Sequence, residues 1–270
     1  MGRLNWMRRI LQSYKAMDHG HVIESPPGAA NPGRAAIADA HLRILYGGQL
    51  EHPAAFFARY QRNLQATQTP VTDWKRFIRP ERLWNLSCYA RHALGLTGDW
   101  IECGVFLGLS ALTWAQIRAE SDPQWLGRGL VLVDSFEGLS PAVAQDGERA
   151  NVLARAKAFR VDVEHVKRPF SPWPEIEWRR GWIPPVLDGL TGRQWSLVHL
   201  DVDLFEPIRD CLERLYPNLV PGGVIINDDY DSEHFPGARL AWDEFFLKTG
   251  KDFVRLPSGQ AVYLHDGDPD

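Results

Sequence analysis

From residue 99 onward, short apolar runs alternate with stretches of helical spacing, and this alternation limits the fold more than any other feature of the sequence. The apolar runs are WIECGVF, GLVLVDSF, WSLVHLDVD and GGVIINDDY, and helical stretches such as SALTWAQIRAE and PIRDCLERLYPNL separate them. Near-continuous apolar runs between helices are typical of parallel strands that are buried on both faces. The sequence therefore predicts a doubly wound α/β fold with a mostly parallel sheet.

The carboxyl-terminal segment DFVRLPSGQAVYLH consists of two alternating stretches around a Pro-Ser-Gly turn. Alternation on both sides of a short turn predicts an antiparallel β-hairpin. With this hairpin the α/β domain spans residues 81–270, and residues 1–80 form a helical arm and linker.

The region before the α/β pattern has a different composition. Residues 41–66 and 81–96 carry Leu, Phe, Tyr and Trp at three- and four-residue spacings, and Pro80 stands where helices favour proline. This spacing predicts two amphipathic helices, the second beginning at Pro80. Residues 18–38 are rich in Pro, Gly and Ala and predict a linker, because such a segment has few large apolar side chains for a core.

Charge and cysteine placement argue against several classes of protein. The formal net charge is -4 with both signs interspersed, so the sequence offers no broad cationic surface for nucleic acid. Cys88, Cys103 and Cys211 are far apart, which argues against a disulfide framework or a zinc site. Basic residues interrupt every apolar stretch near the N-terminus. We therefore expect neither a signal peptide nor a transmembrane segment, and we expect a cytoplasmic location.

The first predicted βα turn contains the glycines of a ligand-binding turn. Strand WIECGVF contains Glu102 and leads through Gly104 and Gly108 to Ser110, before a helix. Glycine lets the backbone turn sharply and approach a ligand, although many such turns hold glycine for packing alone. The next strand ends in Asp134, which is placed either to accept hydrogen bonds from ribose hydroxyls or to cap its own turn. Together the two turns favour a nucleoside-containing ligand.

The spacing of the glycines narrows the choice of nucleoside. A dinucleotide site has the spacing GxGxxG, which positions a pyrophosphate at a helix N-terminus, and this turn lacks that spacing. Glu102 would repel a pyrophosphate but suits the cationic sulfonium and amino groups of S-adenosylmethionine (SAM). The turn therefore favours SAM over a nicotinamide dinucleotide.

Four aspartates follow the next two predicted strands. Asp201 and Asp203 alternate at the end of WSLVHLDVD and are predicted to share one face, and Asp228 and Asp229 end the strand of GGVIINDDY. If these strands are neighbours, four carboxylates converge at the edge of the sheet where α/β proteins bind ligands. Such a cluster needs a countercharge, and oxygen ligands favour Mg²⁺ or Ca²⁺ over zinc. The alternative is that some of these aspartates cap helices.

Six segments of the chain occur together, in the same order, in one known family. They are IECGVFLGLSA, VLVDSFEGL, WRRGWIPPVLDGL, VHLDVDLFEP, LYPNLVPGG and INDDYDSEHFPGARLAWDEF, within residues 81–250. On these segments the chain resembles the macrocin O-methyltransferase (TylF-like) family of class I SAM-dependent enzymes, and an ordered set is more specific than any single motif. The resemblance implies Mg²⁺-assisted methyl transfer from SAM to a hydroxyl, typically on a sugar attached to a natural product.

The resemblance also implies roles for individual residues. By analogy Asp201, Asp228 and Asp229 match the metal ligands, and Asp203 matches the general base. The residues assigned to the SAM side are Glu102, Gly104, Gly108, Ser110, Asp134 and Phe136, with Gly181 and Trp182 near the adenine.

Three other functions stay open on the sequence alone. A catechol-type O-methyltransferase would use the same metal chemistry on an aromatic diol, and a SAM- or nucleoside-binding protein without turnover would share the cofactor half. A nicotinamide oxidoreductase is the least favoured. In each case the expected partner is a small molecule, and residues 1–80 could cover the acceptor or join a homo-oligomer.

Overall fold

The computed structural model describes residues 23–24, 40–41, 43–45, 53–70 and 75–267 of the chain. In this part the strands are β1 Ile23–Glu24, β2 Asp99–Cys103, β3 Leu130–Asp134, β4 Glu177–Arg180, β5 Trp195–Leu200, β6 Leu219–Asn227, β7 Phe253–Arg255 and β8 Ala261–Leu264. The α-helices are α1 Pro53–Ala66, α2 Lys75–Ala93, α3 Leu109–Ser121, α4 Gly147–Arg155, α5 Val163–Lys167, α6 Phe205–Leu215 and α7 Pro236–Thr249.

These strands form one sheet in the order β1-β7-β8-β6-β5-β2-β3-β4. Strands β2 to β6 are parallel, while β8 runs antiparallel to both β6 and β7. The chain moves outward from β2 through β3 to β4 and then returns to β5 on the other side of β2, so the strand order reverses between β2 and β5. The predicted doubly wound sheet with a C-terminal antiparallel hairpin is confirmed, and ligands bind beside such a reversal.

The strands are buried on both faces because alternate side chains enter different cores. In β3, Leu130 and Leu132 pack in a cluster with side chains of α1, α2 and α3. Val131 and Val133 pack on the opposite face with side chains of α6 and α7. This sharing of one strand between two cores explains why its sequence is a continuous apolar run rather than an alternating one.

Two details differ from the predictions. Helix α2 begins at Lys75 and contains Pro80, so the prediction that a helix begins at Pro80 is wrong. Pro80 is the sixth residue of α2, where proline costs one backbone hydrogen bond of the helix, so the helix continues through the proline despite this cost. Strand β4 was not predicted, because this half-buried edge strand, EWRR, has charged residues at three of its four positions.

Helix α1 packs directly against the α/β domain. Phe56 and Tyr60 lie in the core cluster shared with α2 and α3. Arg59 forms an ion pair of 2.8 Å with Glu120, and the Asn63 side chain donates a hydrogen bond of 3.0 Å to the Thr113 hydroxyl.

Helix α2 also crosses the expected domain boundary at residue 80, and that division of the chain stays a prediction. Most of the predicted linker over residues 18–38 lies outside the described residues, and Ile23–Glu24 pairs as an edge strand with β7. Among the described residues, no helix is long and apolar enough to cross a membrane.

Candidate active site

The predicted site residues follow the carboxyl ends of neighbouring strands. Backbone hydrogen bonds extend the sheet by one residue, with Gly104 donating to Val133, Asp201 donating to Cys103 and Asp228 donating to Leu200, each at 2.9 Å. This register places the glycine turn after β2 beside the first aspartate after β5, and places that aspartate beside the pair after β6. Residues that are distant in sequence therefore meet along one edge of the sheet.

A cavity of about 940 Å³ opens at this edge. Its volume is near the upper end of the range for small-molecule sites, which leaves room for a cofactor together with an acceptor. The cavity is lined by ten of the predicted site residues, namely Gly104, Gly108, Ser110, Asp134, Gly181, Trp182, Asp201, Asp203, Asp228 and Asp229. Of the other two, Glu102 is fully buried and Phe136 packs behind the cavity against Trp178.

Asp134 organises the cofactor side of the cavity. Its Oδ2 accepts hydrogen bonds from the backbone N–H groups of Val105 and Phe106, both at 2.8 Å, and its Oδ1 accepts one of 2.7 Å from Phe136. A carboxylate has about four acceptor positions, so one remains for a ligand hydroxyl. Asp134 therefore caps its own turn and also holds the glycine turn after β2.

Glycine is required at position 104 because the turns after β2 and β5 approach each other closely there, and not only because a ligand needs space. It has a φ of 89°, and a Cβ atom there would overlap the backbone carbonyl of Asp201. Gly108, with a φ of 83°, precedes α3, where a Cβ atom would press on Phe170. Both positions therefore need glycine for backbone conformation and for packing.

Glu102 connects the glycine turn to β5. One of its carboxylate oxygens, Oε1, accepts hydrogen bonds from the Ser110 hydroxyl and, at 2.9 Å, from Nδ1 of His199. The other oxygen, Oε2, is buried and accepts no hydrogen bond from a described residue. His199 is thus hydrogen-bonded to the cofactor side, while its Nε2 lies 3.5 Å from Asp228 on the acidic side.

The aspartates after β5 and β6 meet, but not for the reason that strand alternation suggested. Strand β5 ends at Leu200, and Asp203 has a φ of 61°, so Asp201 and Asp203 are not successive same-face residues of a strand. Instead a turn brings Asp203 back, and oxygen atoms of Asp201, Asp203 and Asp229 lie within 4.8 Å of one another. Asp201 and Asp203 therefore lie together because of this turn, and the prediction that strand alternation places them on one face is wrong.

Asp228 has a different environment from its neighbour Asp229. Its ligand atoms lie within 4.8 Å of those of His199 and Asp201, in a group that does not include Asp203 or Asp229. Its Oδ2 accepts a hydrogen bond of 2.7 Å from Arg82, and its Oδ1 accepts one of 2.7 Å from Gln260. The structure therefore divides the predicted metal ligands between two overlapping groups that share Asp201.

Sequence reasoning missed Arg82 and Gln260. Arg82 lies on α2, and its Nε also donates to the carbonyl of Ser258 in the hairpin turn. Asn85, one helical turn further on, donates to the side chains of Ser258 and Gln260. No local motif marks these positions, because α2 and the hairpin reach the site only through the folded chain.

Arg82 and His199 offset only part of the negative charge of the acidic group formed by Asp201, Asp203, Asp228 and Asp229. Burial and the repulsion of Asp228 and Asp229 raise the pKa of Asp201 well above its ordinary value. Burial and Asp228 raise the pKa of Asp229 to about 6. Burial also opposes ionisation of Asp228, but Arg82 and His199 outweigh it and lower its pKa.

Burial acts on the pKa of His199 in the opposite direction from its effect on the aspartates, because it disfavours the charged ring. Burial alone would lower its pKa, but hydrogen bonds to Asp228 and Glu102 raise that pKa well above the ordinary value. A charged ring donates from both nitrogen atoms, so His199 supports one carboxylate on each side of the cavity.

The acidic group fits a hard divalent cation. Its donors are carboxylate oxygens, and Oδ2 of Asp229 is buried without accepting a hydrogen bond from any described residue. Asp228 accepts three hydrogen bonds, which leaves about one of its four acceptor positions. Oxygen donors of this kind suit Mg²⁺ better than zinc.

The strand order and the position of the cavity match the fold of class I SAM-dependent methyltransferases. The O-methyltransferase NovP has a similar fold, with a TM-score of 0.59 and 24% sequence identity, covering 69% of this chain and 80% of that structure. At 24% sequence identity, the similarity to NovP establishes the fold of this chain but not its function.

The chain belongs to the macrocin-O-methyltransferase (TylF) family, which it matches over residues 47–252. It is 33% identical over 161 residues to the 8-demethyl-8-(2,3-dimethoxy-alpha-L-rhamnosyl)-tetracenomycin-C 4'-O-methyltransferase of Streptomyces olivaceus, covering 56% of this chain and 60% of that protein. It is 27% identical over 235 residues to the demethyldecarbamoylnovobiocin O-methyltransferase of Streptomyces niveus, covering 81% of this chain and 88% of that protein. The predicted family is confirmed.

Proposed function

We propose that this protein transfers the methyl group of SAM to a hydroxyl on the sugar of a glycosylated natural product, with the help of a hard divalent cation. The observation that carries the proposal is the group of carboxylates at the ends of β5 and β6, which lines the same cavity as the glycine turn. The Streptomyces olivaceus relative is named for an acceptor that carries a rhamnosyl group, which supports a sugar hydroxyl as the acceptor.

The cofactor side would bind SAM through the turns after β2, β3 and β4. Asp134 has an acceptor position left for a ribose hydroxyl, and Glu102 supplies negative charge near the sulfonium and amino groups. Gly181 and Trp182 follow β4 directly and line the cavity, with the Trp182 side chain 39% exposed. An exposed indole beside a nucleoside site is suited to stacking on a base.

The cation would be held by Asp201, Asp228 and Asp229. When bound, a hard divalent cation lowers the pKa of a coordinated hydroxyl and helps to orient it. Asp229 supports this assignment through a buried oxygen that accepts no hydrogen bond within the described part of the chain, and Asp201 through a pKa that burial and like charges raise. Arg82, Gln260 and His199 orient Asp228.

Asp203 would act as the general base. The hydroxyl oxygen of the acceptor forms a bond to the methyl carbon as the carbon–sulfur bond breaks, and the electron pair of that bond stays on sulfur. The hydroxyl proton passes to the carboxylate of Asp203, leaving a methyl ether and S-adenosylhomocysteine. Asp203 lines the cavity within 4.8 Å of Asp201 and Asp229, which supports this role.

The test is methyl transfer from labelled SAM to a rhamnosylated aromatic natural product, to its aglycone and to a simple aromatic diol, each in Mg²⁺ and in chelator. We expect transfer to the glycoside in Mg²⁺ and a large loss in chelator. Transfer to the diol instead would favour a catechol-type enzyme, and SAM binding without transfer to any hydroxyl would favour a non-catalytic protein. Equal turnover in chelator would remove the cation from the proposal.

The base assignment has its own test. Asp203→Asn should lower kcat by about 10²- to 10⁴-fold while SAM still binds, because general-base catalysis contributes about this factor. Asp188→Asn is the control, since Asp188 pairs with Arg214 and is 67% exposed. Full turnover in Asp203→Asn would show that another group takes the proton.

A further inference from the structure

The backbone at Asp203 is strained. Its φ of 61° is in the left-handed region, and the N–H of Leu204 donates to the carbonyl of Val202 at 2.6 Å, which makes a γ-turn centred on Asp203. A residue other than glycine holds such a conformation only where its surroundings impose it. The orientation of the Asp203 carboxylate therefore depends on what fixes the residues on either side of the turn.

Asp146 fixes the residue that follows the turn. It is 1% exposed, and its Oδ1 accepts a hydrogen bond of 2.6 Å from the backbone N–H of Phe205, the first residue of α6. The N-cap of α6, Leu204, supplies no capping hydrogen bond of its own. Asp146 lies 59 residues earlier in the chain and takes over this capping role.

The other contacts of Asp146 hold it firmly in that position. Its Oδ2 accepts a hydrogen bond of 2.8 Å from the N–H of Val143. On the side of α7 it lies so close to Gly237 that a Cβ atom on that residue would overlap Oδ1. A buried carboxylate held between three backbone segments transmits a displacement of any one of them to Phe205.

The segment that carries Asp146 also forms a wall of the cavity. It leaves β3, is closed at its base by the bridge between Glu137 and Arg160, and contributes Leu139, Arg149 and Phe159 to the cavity lining. Its apolar side chains pack in one cluster with Leu204 and Phe235. The wall and the turn at Asp203 therefore share both a buried hydrogen bond and an apolar cluster.

We infer that Asp146 is a positioning residue for methyl transfer, which holds the strained turn of Asp203 in register with the cavity wall of residues 138–159. The inference rests on the proposed function of Asp203 as the base. Asp146 is buried and is not among the residues that line the cavity, so its effect is expected on the rate of the chemical step and not on cofactor or cation affinity.

The test uses Asp146→Asn, which keeps the shape of the side chain but replaces one acceptor oxygen with a donor. We expect kcat to fall by about ten- to a hundredfold, because small displacements of a reacting group cost about this much. SAM and Mg²⁺ affinities should stay within about twofold of the parent protein, because no contact to either is removed. Gly237→Ala, which displaces the Asp146 carboxylate without removing it, should lower kcat in the same way.

A double-mutant cycle separates positioning from a general structural role. If Asp146 acts through Asp203, the double variant Asp146→Asn with Asp203→Asn should be no slower than Asp203→Asn alone. Additive losses, or an unchanged kcat in Asp146→Asn, would overturn the inference. The control is Asp162→Asn, which alters another helix cap, accepting from Glu164 at the start of α5 and away from the Asp203 turn.

A second measurement does not depend on turnover. Amide hydrogen exchange over residues 201–206 should become at least about tenfold faster in Asp146→Asn and stay unchanged in Asp162→Asn. An asparagine at position 146 can accept from only one of the Phe205 and Val143 N–H groups, and the loss of either bond loosens the anchor of the turn. Unchanged exchange in Asp146→Asn would overturn the inference even if the protein were inactive. Full turnover in Asp203→Asn, together with faster exchange in Asp146→Asn, would instead show that Asp203 is not the base although Asp146 does order the turn.

Discussion

The two sides of the cavity use the same residue type in opposite environments. On the cofactor side, Asp134 accepts three backbone hydrogen bonds and holds two turns together. On the acidic side, Asp229 has a buried oxygen that accepts no hydrogen bond from a described residue, and burial and a neighbouring carboxylate raise its pKa. A carboxylate with three of its roughly four acceptor positions filled stabilises the fold, whereas a buried carboxylate oxygen that accepts no hydrogen bond from a described residue needs a ligand to complete its environment.

The largest expected effect is on the acidic side. Asp201 belongs to both groups of candidate ligands, so Asp201→Asn should lower kcat by at least about 10³-fold and weaken Mg²⁺ binding, because it removes cation support from the acceptor hydroxyl. SAM binding, measured by calorimetry in chelator, should stay close to that of the parent protein. Loss of SAM affinity in this variant would contradict the division of the cavity into two sides.

The matching change on the cofactor side is Asp134→Asn. Replacing one acceptor oxygen with a donor leaves a backbone N–H of the turns unpaired, so SAM affinity should fall by about ten- to a hundredfold and Tm by several degrees. Mg²⁺ affinity, measured without SAM, should not change. A variant that bound SAM normally would show that Asp134 is a structural cap without a role toward the ligand.

His199 tests the connection between the two sides, because it is hydrogen-bonded to Glu102 and to Asp228. Glutamine at this position can reach one carboxylate but not both. His199→Gln should weaken Mg²⁺ binding by about tenfold, as loss of a group that orients a metal ligand does, and weaken SAM binding by a smaller factor. If only one of the two affinities changed, His199 would belong to one side alone.

The smallest expected effect is a pH dependence of stability. An unfolded aspartate has a pKa of about 3.9, whereas that of Asp229 in the folded protein is raised to about 6. The folded protein therefore binds more protons than the unfolded chain between these pH values, and its stability falls as the pH rises through about 6.

In chelator, Tm should fall by a few degrees between about pH 5 and about pH 7.5, and Mg²⁺ should reverse the fall. Asp229→Asn should reduce both effects, and comparing the variant with the parent protein at each pH separates Asp229 from other titrating groups. The same pH slope in both proteins would show that Asp229 does not carry this dependence.

Much of this site could be predicted from local sequence. The aspartates after β5 and β6 were found because buried parallel strands have near-continuous apolar sequences and their polar ends stand out. Asp134 was assigned two alternatives, a cap or a ligand for ribose, and the structure shows the first without testing the second. The roles of the predicted metal, base and SAM residues stay predictions for the experiments above.

The remaining features depended on contacts between distant residues. Arg82 bonds to Asp228 across 146 positions, and Asp146 bonds to Phe205 across 59. Strand β4 was missed because an edge strand needs no apolar run, and the arrangement of Asp201 and Asp203 was explained wrongly because the strand ends before them.

The sequence by itself determined the family, the four strands β2, β3, β5 and β6 at the centre of the sheet, and the presence of aspartates near their carboxyl ends, since periodicity and motif order are properties of the chain alone. Only the tertiary structure decided which carboxylates are paired and which are not. The environment of a carboxylate depends on burial and on donors that other elements supply. Those donors come from α2, the C-terminal hairpin and β5, and their positions are fixed only when the two cores of the sheet have packed.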